Sequence, residues 1–250
     1  MDLAETGGSN SRRDFFKKAI PAAIPAVILT ALPKMVQAQS STITETLNFA
    51  LTLEYLEDEF YRTALTKSFI PESDKNIFMQ ISKHETAHVA FLKTALGTSA
   101  VGKPEFDFTA GGMFGDVFSN YQTFLAVSQS FEDAGVRAYK GQAGNLISDN
   151  NTLKAALQIH SVEARHASEV RRLRGMSSGM SIKGWITGKE SNGAPDAIYA
   201  GEDNTTHAGA NLNSIAALNG VSATAKTEAF DEALTKEQVL AIVNPFLAPS

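Results

Sequence analysis

Glu85-Thr86-Ala87-His88 stands 31 residues after Glu54, and Glu163-Ala164-Arg165-His166 stands 31 residues after Glu132. The second set is the first displaced by 78 positions, and Tyr61 and Tyr139, each seven after its leading glutamate, keep the same shift. A Glu and a His three apart on a helix lie on one side of it. About 0.3 Glu-x-x-His matches arise by chance in a chain of this composition, so one copy means little. Two copies, each trailing a glutamate by the same distance, imply a common structural cause. Four helices that each send a glutamate inward, two of them adding a histidine, build a two-metal carboxylate site in a bundle core. The candidate ligands are Glu54, Glu85, His88, Glu132, Glu163 and His166, and the expected cofactors are two iron or manganese ions.

At 250 residues and 43% hydrophobic content, the chain can bury a sizeable core as one domain with appendages. A net charge of −5 and the lack of a basic stripe argue against a nucleic-acid partner. The absence of cysteine removes disulfides, iron–sulfur clusters and thiolate zinc sites together. Any metal must then be held by carboxylate and imidazole, a donor set that suits iron, manganese or zinc.

Ser11-Arg12-Arg13-Asp14-Phe15-Phe16-Lys17 resembles a twin-arginine export signal. It precedes an apolar stretch from Ala19 to Leu32 that is short for a membrane span and broken by Pro21 and Pro25. Val36-Gln37-Ala38 places small residues for cleavage after Ala38. Residues 1–38 are therefore expected to be a signal peptide read by the twin-arginine machinery. Residues 42–175 are expected to form an all-α, antiparallel four-helix bundle, and 176–250 an extension of it.

The first helix is predicted over Thr42 to Ser68, with Thr42 and Glu45 as a capping box. Its inward stripe of Leu47, Ala50, Leu51, Glu54, Tyr61 and Leu65 is apolar except at Glu54 and the Tyr61 hydroxyl. A buried carboxylate is costly unless it binds a cation or shares a proton. Glu57, one turn on, reads either as a solvated carboxylate beside Asp58 and Glu59 or as a further or alternative ligand; its counterpart under the shift is Gly135. The second helix runs from Ser73 to Leu96, and His84 lies about 100° around it from Glu85, which reads as a surface or interface residue. The segment from Thr98 to Gly115 is long enough to cross back along a bundle roughly 35–40 Å tall, which makes it a long crossover between the second and third helices. A third helix follows from Asp116 to Ala143, where Ser128 and Gln129 suggest a wetter region beside Glu132. The fourth runs from an Asp149 or Asn150 cap to Arg174, ahead of Gly175, with His160 on the face of Glu163 as a lesser candidate for a ligand or supporting group, since Ser82 holds the matching place in the first half. Tyr61 and Tyr139 are about 10 Å along the axis from their own glutamates, so core packing is their expected role, with a redox or supporting role as the alternative.

Leu47-Asn48-Phe49-Ala50-Leu51-Thr52-Leu53-Glu54-Tyr55-Leu56-Glu57, Phe60-Tyr61, His84-Glu85-x-x-His88-x-x-Phe91-Leu92 and Val162-Glu163-Ala164-Arg165-His166 together resemble the bacterial ferritin-like domain family that includes plant desiccation-related proteins. The paired Glu-x-x-His motifs are similar, more distantly, to those of bacterioferritin, rubrerythrin and manganese catalase. The resemblance covers about residues 42–174 and implies the bundle and a two-metal centre. No cysteine-rich electron-transfer module accompanies it, and nothing marks the short fifth helix of a storage shell.

Gly, Ser, Asn, Thr and Ala dominate from Ser177 to Thr227, with Trp185, Ile186, Ile198 and Tyr199 spaced as anchors on the bundle. Thr235 opens a last amphipathic helix through Val243, with Gln238 completing a capping box. The extension is expected to cover the bundle or form a contact between copies of the chain. His207 reads as a loop residue, and Gly201-Glu202-Asp203-Asn204 as a weak cation-loop candidate that lacks calcium-loop spacing. The leading functional expectation is an envelope or periplasmic di-metal protein that reacts with oxygen or peroxide. The alternatives are a non-enzymatic metal-binding or stress-protective protein, and a metal-free interaction bundle.

Overall fold

The computed structural model describes residues 41–248, and the expected signal segment 1–38 lies outside them. Four long helices make up the bundle: α1 (Ser41–Leu65), α2 (Glu72–Leu96), α3 (Tyr121–Gln142) and α4 (Asn150–Ser178). Two short ones follow in the extension, α5 (Ala223–Thr227) and α6 (Lys236–Val243), with a two-residue hairpin, β1 (Thr206–His207) and β2 (Ala210–Asn211). No described helix is long and apolar enough to cross a membrane.

Side-chain pairs fix the helix directions. Thr86 on α2 donates to Asp58 on α1, while His88 approaches Glu54, so the numbering falls on one helix as it rises on the other. Tyr61 bonds Glu132 and Tyr139 bonds Glu54, so α3 is also antiparallel to α1. Arg171 pairs with Asp133 and Arg174 with Gln129, so α4 is antiparallel to α3. Helices α2 and α3 are then parallel, and the chain between them must travel the length of the bundle. Residues 97–120 do so, pinned by the buried Phe108 and Val117 and by a return pairing of the C-terminal end, in which Asp107 N–H donates to Phe246 O and Ala248 N–H to Glu105 O.

Three boundaries differ from expectation. Helix α1 already includes Thr42, so Thr42 does not cap it. Helix α3 starts at Tyr121, because Asn120 accepts from Gln122 and Thr123 N–H and caps it there. Helix α4 runs past Gly175 to Gly179, whose positive φ of 71° ends it. Gly175 instead makes room for the extension: a Cβ there would lie 3.2 Å from Ile182 O and 3.3 Å from Met180 O.

Two apolar clusters bracket the middle of the bundle. One is rich in aromatics, with Phe60 at ring-centroid distances of 5.2 Å from Phe124 and 5.0 Å from Phe131. The other gathers Ile43, Leu47, Leu51, Leu92, Leu96, Leu146 and Ile159. Tyr61 belongs to the first and Tyr139 to the second.

The extension lies on the bundle through buried polar anchors as well as apolar ones. Ile198 and Tyr199 are fully buried, as expected, but Trp185 is 55% exposed and is no anchor. Arg137, wholly buried on α3, donates to the carbonyls of Ile198, Ala200 and Glu232 and pairs with Glu202 at 3.0 Å. Glu202 therefore neutralises an arginine and is not free for a cation loop. Ser128 and Gln129 are also buried and dry: Ser128 bonds back to Phe124 O, and Gln129 joins Tyr199 to Arg174. The wetter region expected there is a polar clamp on the extension.

Candidate metal centre

The six residues singled out by the repeat meet in the bundle interior. Glu54, Glu85, Glu132 and Glu163 are fully buried, and His88 and His166 are 9% and 4% exposed. They form two groups, Glu54–Glu85–His88–Glu163 and Glu85–Glu132–Glu163–His166, within each of which the ligand atoms lie within 4.8 Å of one another. Glu85 and Glu163 belong to both.

Their oxygens divide between the groups. Glu85 turns Oε2 to His88 Nδ1 at 3.0 Å and Oε1 to His166 Nδ1 at 2.9 Å. Glu163 turns Oε1 to His88 Nδ1 at 3.0 Å and Oε2 to His166 Nδ1 at 3.6 Å. Glu54 and Glu132 each serve one side only: Glu54 Oε2 lies 3.1 Å from His88 Nδ1, and Glu132 Oε2 lies 3.4 Å from His166 Nδ1. Their other oxygens accept hydrogen bonds at 2.5 Å, Glu54 from Tyr139 and Glu132 from Tyr61.

Of the carboxylate approaches to the two rings, only those of His88 Nδ1 to Glu54 Oε2 and to Glu85 Oε2 have hydrogen-bond geometry. Glu85 Oε1, Glu132 Oε2, both Glu163 oxygens and His166 Nδ1 have no hydrogen-bond partner of acceptable angle among the described residues. Buried polar atoms without partners are expensive. Lone pairs that converge without meeting one another fit a cation placed between them, and oxygen with imidazole nitrogen is the donor set of iron and manganese.

Without cations the cluster holds protons instead. Burial, then the charge of Glu163, raises Glu54. Burial and the same neighbour push Glu85 up to about 7. Burial lifts Glu132 to about 8, even though His166 pulls the other way. Burial also opposes ionisation of Glu163, but His166 and His88 outweigh it and hold that carboxyl at about 2. Burial disfavours the charged His88 ring, yet Glu163, Glu54 and Glu85 push it up to about 12.

The family model described as a ferritin-like domain matches residues 42–176. The chain belongs to the ferritin-like family. No curated protein matched it. The matched segment spans the four bundle helices almost entirely, so all six candidate ligands of this ferritin-like chain fall inside it.

Three neighbours of the centre refine the expectations drawn from the repeat. His84 is outside both groups, but its Nδ1 lies 2.8 Å from His166 Nε2, and its Nε2 lies 2.7 Å from Gln80 Nε2. When the proton of His166 sits on Nε2, that ring donates to His84 and leaves its own Nδ1 free to face the carboxylates. The angle alone makes His84 a surface or interface residue; its half-buried ring reaches across from α2 to α4, a partner that helix-wheel reasoning on one helix cannot show. His160 belongs to neither group. It lines a cavity of about 250 Å³ with Asp133, Lys140, Arg171 and Asp231. Glu57 is 3% exposed and inward-facing. Burial, then Glu163, Glu132, Glu85 and Glu54, raise its carboxyl well above the usual range. His207 stacks on Phe230 in the extension, far from this chemistry in sequence and element.

Proposed function

We propose that this protein is a di-metal carboxylate protein, binding two iron or manganese ions and acting on dioxygen or peroxide. One observation carries the reading: Glu85 and Glu163 each present one oxygen to either histidine, while Glu54 and Glu132 serve one side apiece. That division suits two cations side by side, with Glu85 and Glu163 shared, Glu54 and His88 on one, and Glu132 and His166 on the other.

Bound metals would supply Lewis acidity and one-electron chemistry toward a small oxidant. The chain's own contribution is positional. Tyr61 and Tyr139 hold the unshared carboxylates from their far sides, and His84 holds the His166 ring by its outer nitrogen. The two apolar clusters exclude water above and below, which strengthens every electrostatic interaction between them. The side chain of His88, 11% exposed, is where the centre comes nearest to the surface among the histidines.

Elemental analysis of the mature chain, purified without chelator, tests the reading. Two transition-metal ions per chain are expected, with consumption of peroxide or of dioxygen in the presence of ferrous ion by the same sample. Fewer than one metal per chain would overturn it. Metal without turnover would instead favour a metal-holding or protective protein. The same reading takes the Arg12-Arg13 segment as a twin-arginine export signal and the cell envelope as the site of action. A chain with both arginines changed to lysine should then remain in the cytoplasm.

A further inference from the structure

Four glutamates and two neutral imidazoles carry four negative charges. That balances two divalent metals and leaves two trivalent metals short by two. A fifth carboxylate stands beside them. Glu57, one turn after Glu54 on α1, is 3% exposed, and no side-chain hydrogen bond or ion pair holds it among the described residues.

The space it occupies comes from a break in the internal repeat. Where the first half has Glu57, the second has Gly135 on α3, and the two positions face each other. A Cβ on Gly135 would lie 3.2 Å from Glu57 Oε1 and 3.9 Å from Glu163 Oε2. The Glu57 carboxyl and a shared carboxylate of the centre therefore both lie within 4 Å of the point that a side chain would fill. Two glutamates at these positions would collide, and any β-carbon at 135 crowds the one that is there. A buried, unpartnered carboxyl aimed at a cluster of carboxylates is unfavourable unless positive charge appears nearby.

We propose that Glu57, admitted by Gly135, is a reserve carboxylate of the metal pair that selectively stabilises its oxidised state. This rests on the di-metal reading above. With two divalent ions the four shared and unshared glutamates already suffice. With both metals trivalent, an ionised Glu57 would supply one of the two missing negative charges. A unit charge about 6 Å away, at an effective dielectric of ~20, changes the oxidised-to-reduced ratio by roughly 100-fold.

The test is a mediator titration of the iron-loaded full chain, in which each iron exchanges one electron with a dye couple, alongside iron counting. Glu57→Gln should keep two irons per chain and lower the ratio of ferric to ferrous iron at fixed potential by at least about tenfold. Glu57→Asp, which keeps the charge, should restore most of it. Gly135→Ala, which leaves the carboxylate but displaces it, should shift the ratio in the same direction as Glu57→Gln. An unchanged ratio in Glu57→Gln with two irons bound overturns the proposal. So does loss of iron to below one per chain in a variant that keeps its helical signal, since Glu57 would then be a primary ligand. Wild-type protein that holds no iron or manganese pair takes down the di-metal reading, and this inference with it.

Discussion

Tyr61 on α1 donates its hydroxyl to Glu132 on α3 at 2.5 Å, and not to the glutamate seven residues before it on its own helix. Tyr139 on α3 returns the bond to Glu54 on α1. Seven residues along one helix correspond to seven back along its antiparallel neighbour, so each half of the repeat completes the other. The two tyrosines close the centre at opposite ends, each with its ring in an apolar cluster and its polar tip on a carboxylate.

Removing either hydroxyl should therefore cost stability as well as order. Tyr61→Phe leaves Glu132 Oε1 buried without its donor, and Tyr139→Phe does the same to Glu54 Oε1. A loss of about 1–3 kcal/mol is expected for each in the metal-free protein, measured by urea unfolding. Losses below a few tenths would mean that water or a neighbour replaces the tyrosine, and that the bond does not brace the carboxylate.

His84 offers a cleaner separation of site from fold, because its ring is only half-buried. It touches the outer nitrogen of His166, stacks on that ring, and otherwise meets the exposed Gln80. His84→Ala should weaken metal binding about 10- to 100-fold while leaving metal-free melting nearly unchanged. His84→Gln, which can still accept from His166 Nε2, should recover part of the affinity. Equal metal affinity in wild type and His84→Ala would remove the orienting role.

The repeat in the sequence led directly to the six clustered side chains, because a spacing of three on a helix and a constant offset between helices are both local, periodic properties. Three features were not legible for the same reason. The partner of Tyr61 depends on helix direction, the partner of His84 on a neighbouring helix, and the role of Gln129 on a segment some 70 residues away in sequence that returns to lie on α3. Gly141 illustrates the difference. On one helix it reads as a weak end. In the fold, a Cβ there would stand 1.9 Å from Leu234 O, so the glycine is the seat on which the extension rests.

That seat and the nearby arginine make the extension's attachment testable. Arg137→Ala removes hydrogen bonds to Ile198, Ala200 and Glu232 and leaves Glu202, which burial already pushes up to about 7, with the Glu232 N–H but no counter-charge. Breaking one partner of a buried pair costs about 3–5 kcal/mol. Limited proteolysis should then cut between residues 179 and 235 while α1 to α4 stay intact. Gly141→Ala should produce the same cleavage pattern through steric conflict alone. Protection equal to wild type in both variants would show that the apolar anchors Ile198 and Tyr199 hold the segment unaided.

The protons held by the metal-free centre dictate how its stability should vary with pH. Glu85 and Glu132 have folded-state values raised to about 7 and about 8, above their ordinary 4.5. Their contribution is fully present below pH 4.5 and is lost as pH climbs through those values. His88, raised to about 12, also loses its contribution as pH rises from 6.5. Glu163, depressed to about 2, contributes above 4.5 and loses that contribution only as pH falls toward 2. Metal-free protein should therefore melt at a higher temperature at pH 6 than at pH 9. Cations compete for the same lone pairs, so metal binding should release protons and tighten with pH. The gap in melting temperature between loaded and metal-free protein should widen from pH 6 to pH 9. Metal-free melting that stays flat or rises over that range would mean that the four carboxylates are not gathered around shared protons, and the case for cations in their place would lose its electrostatic basis.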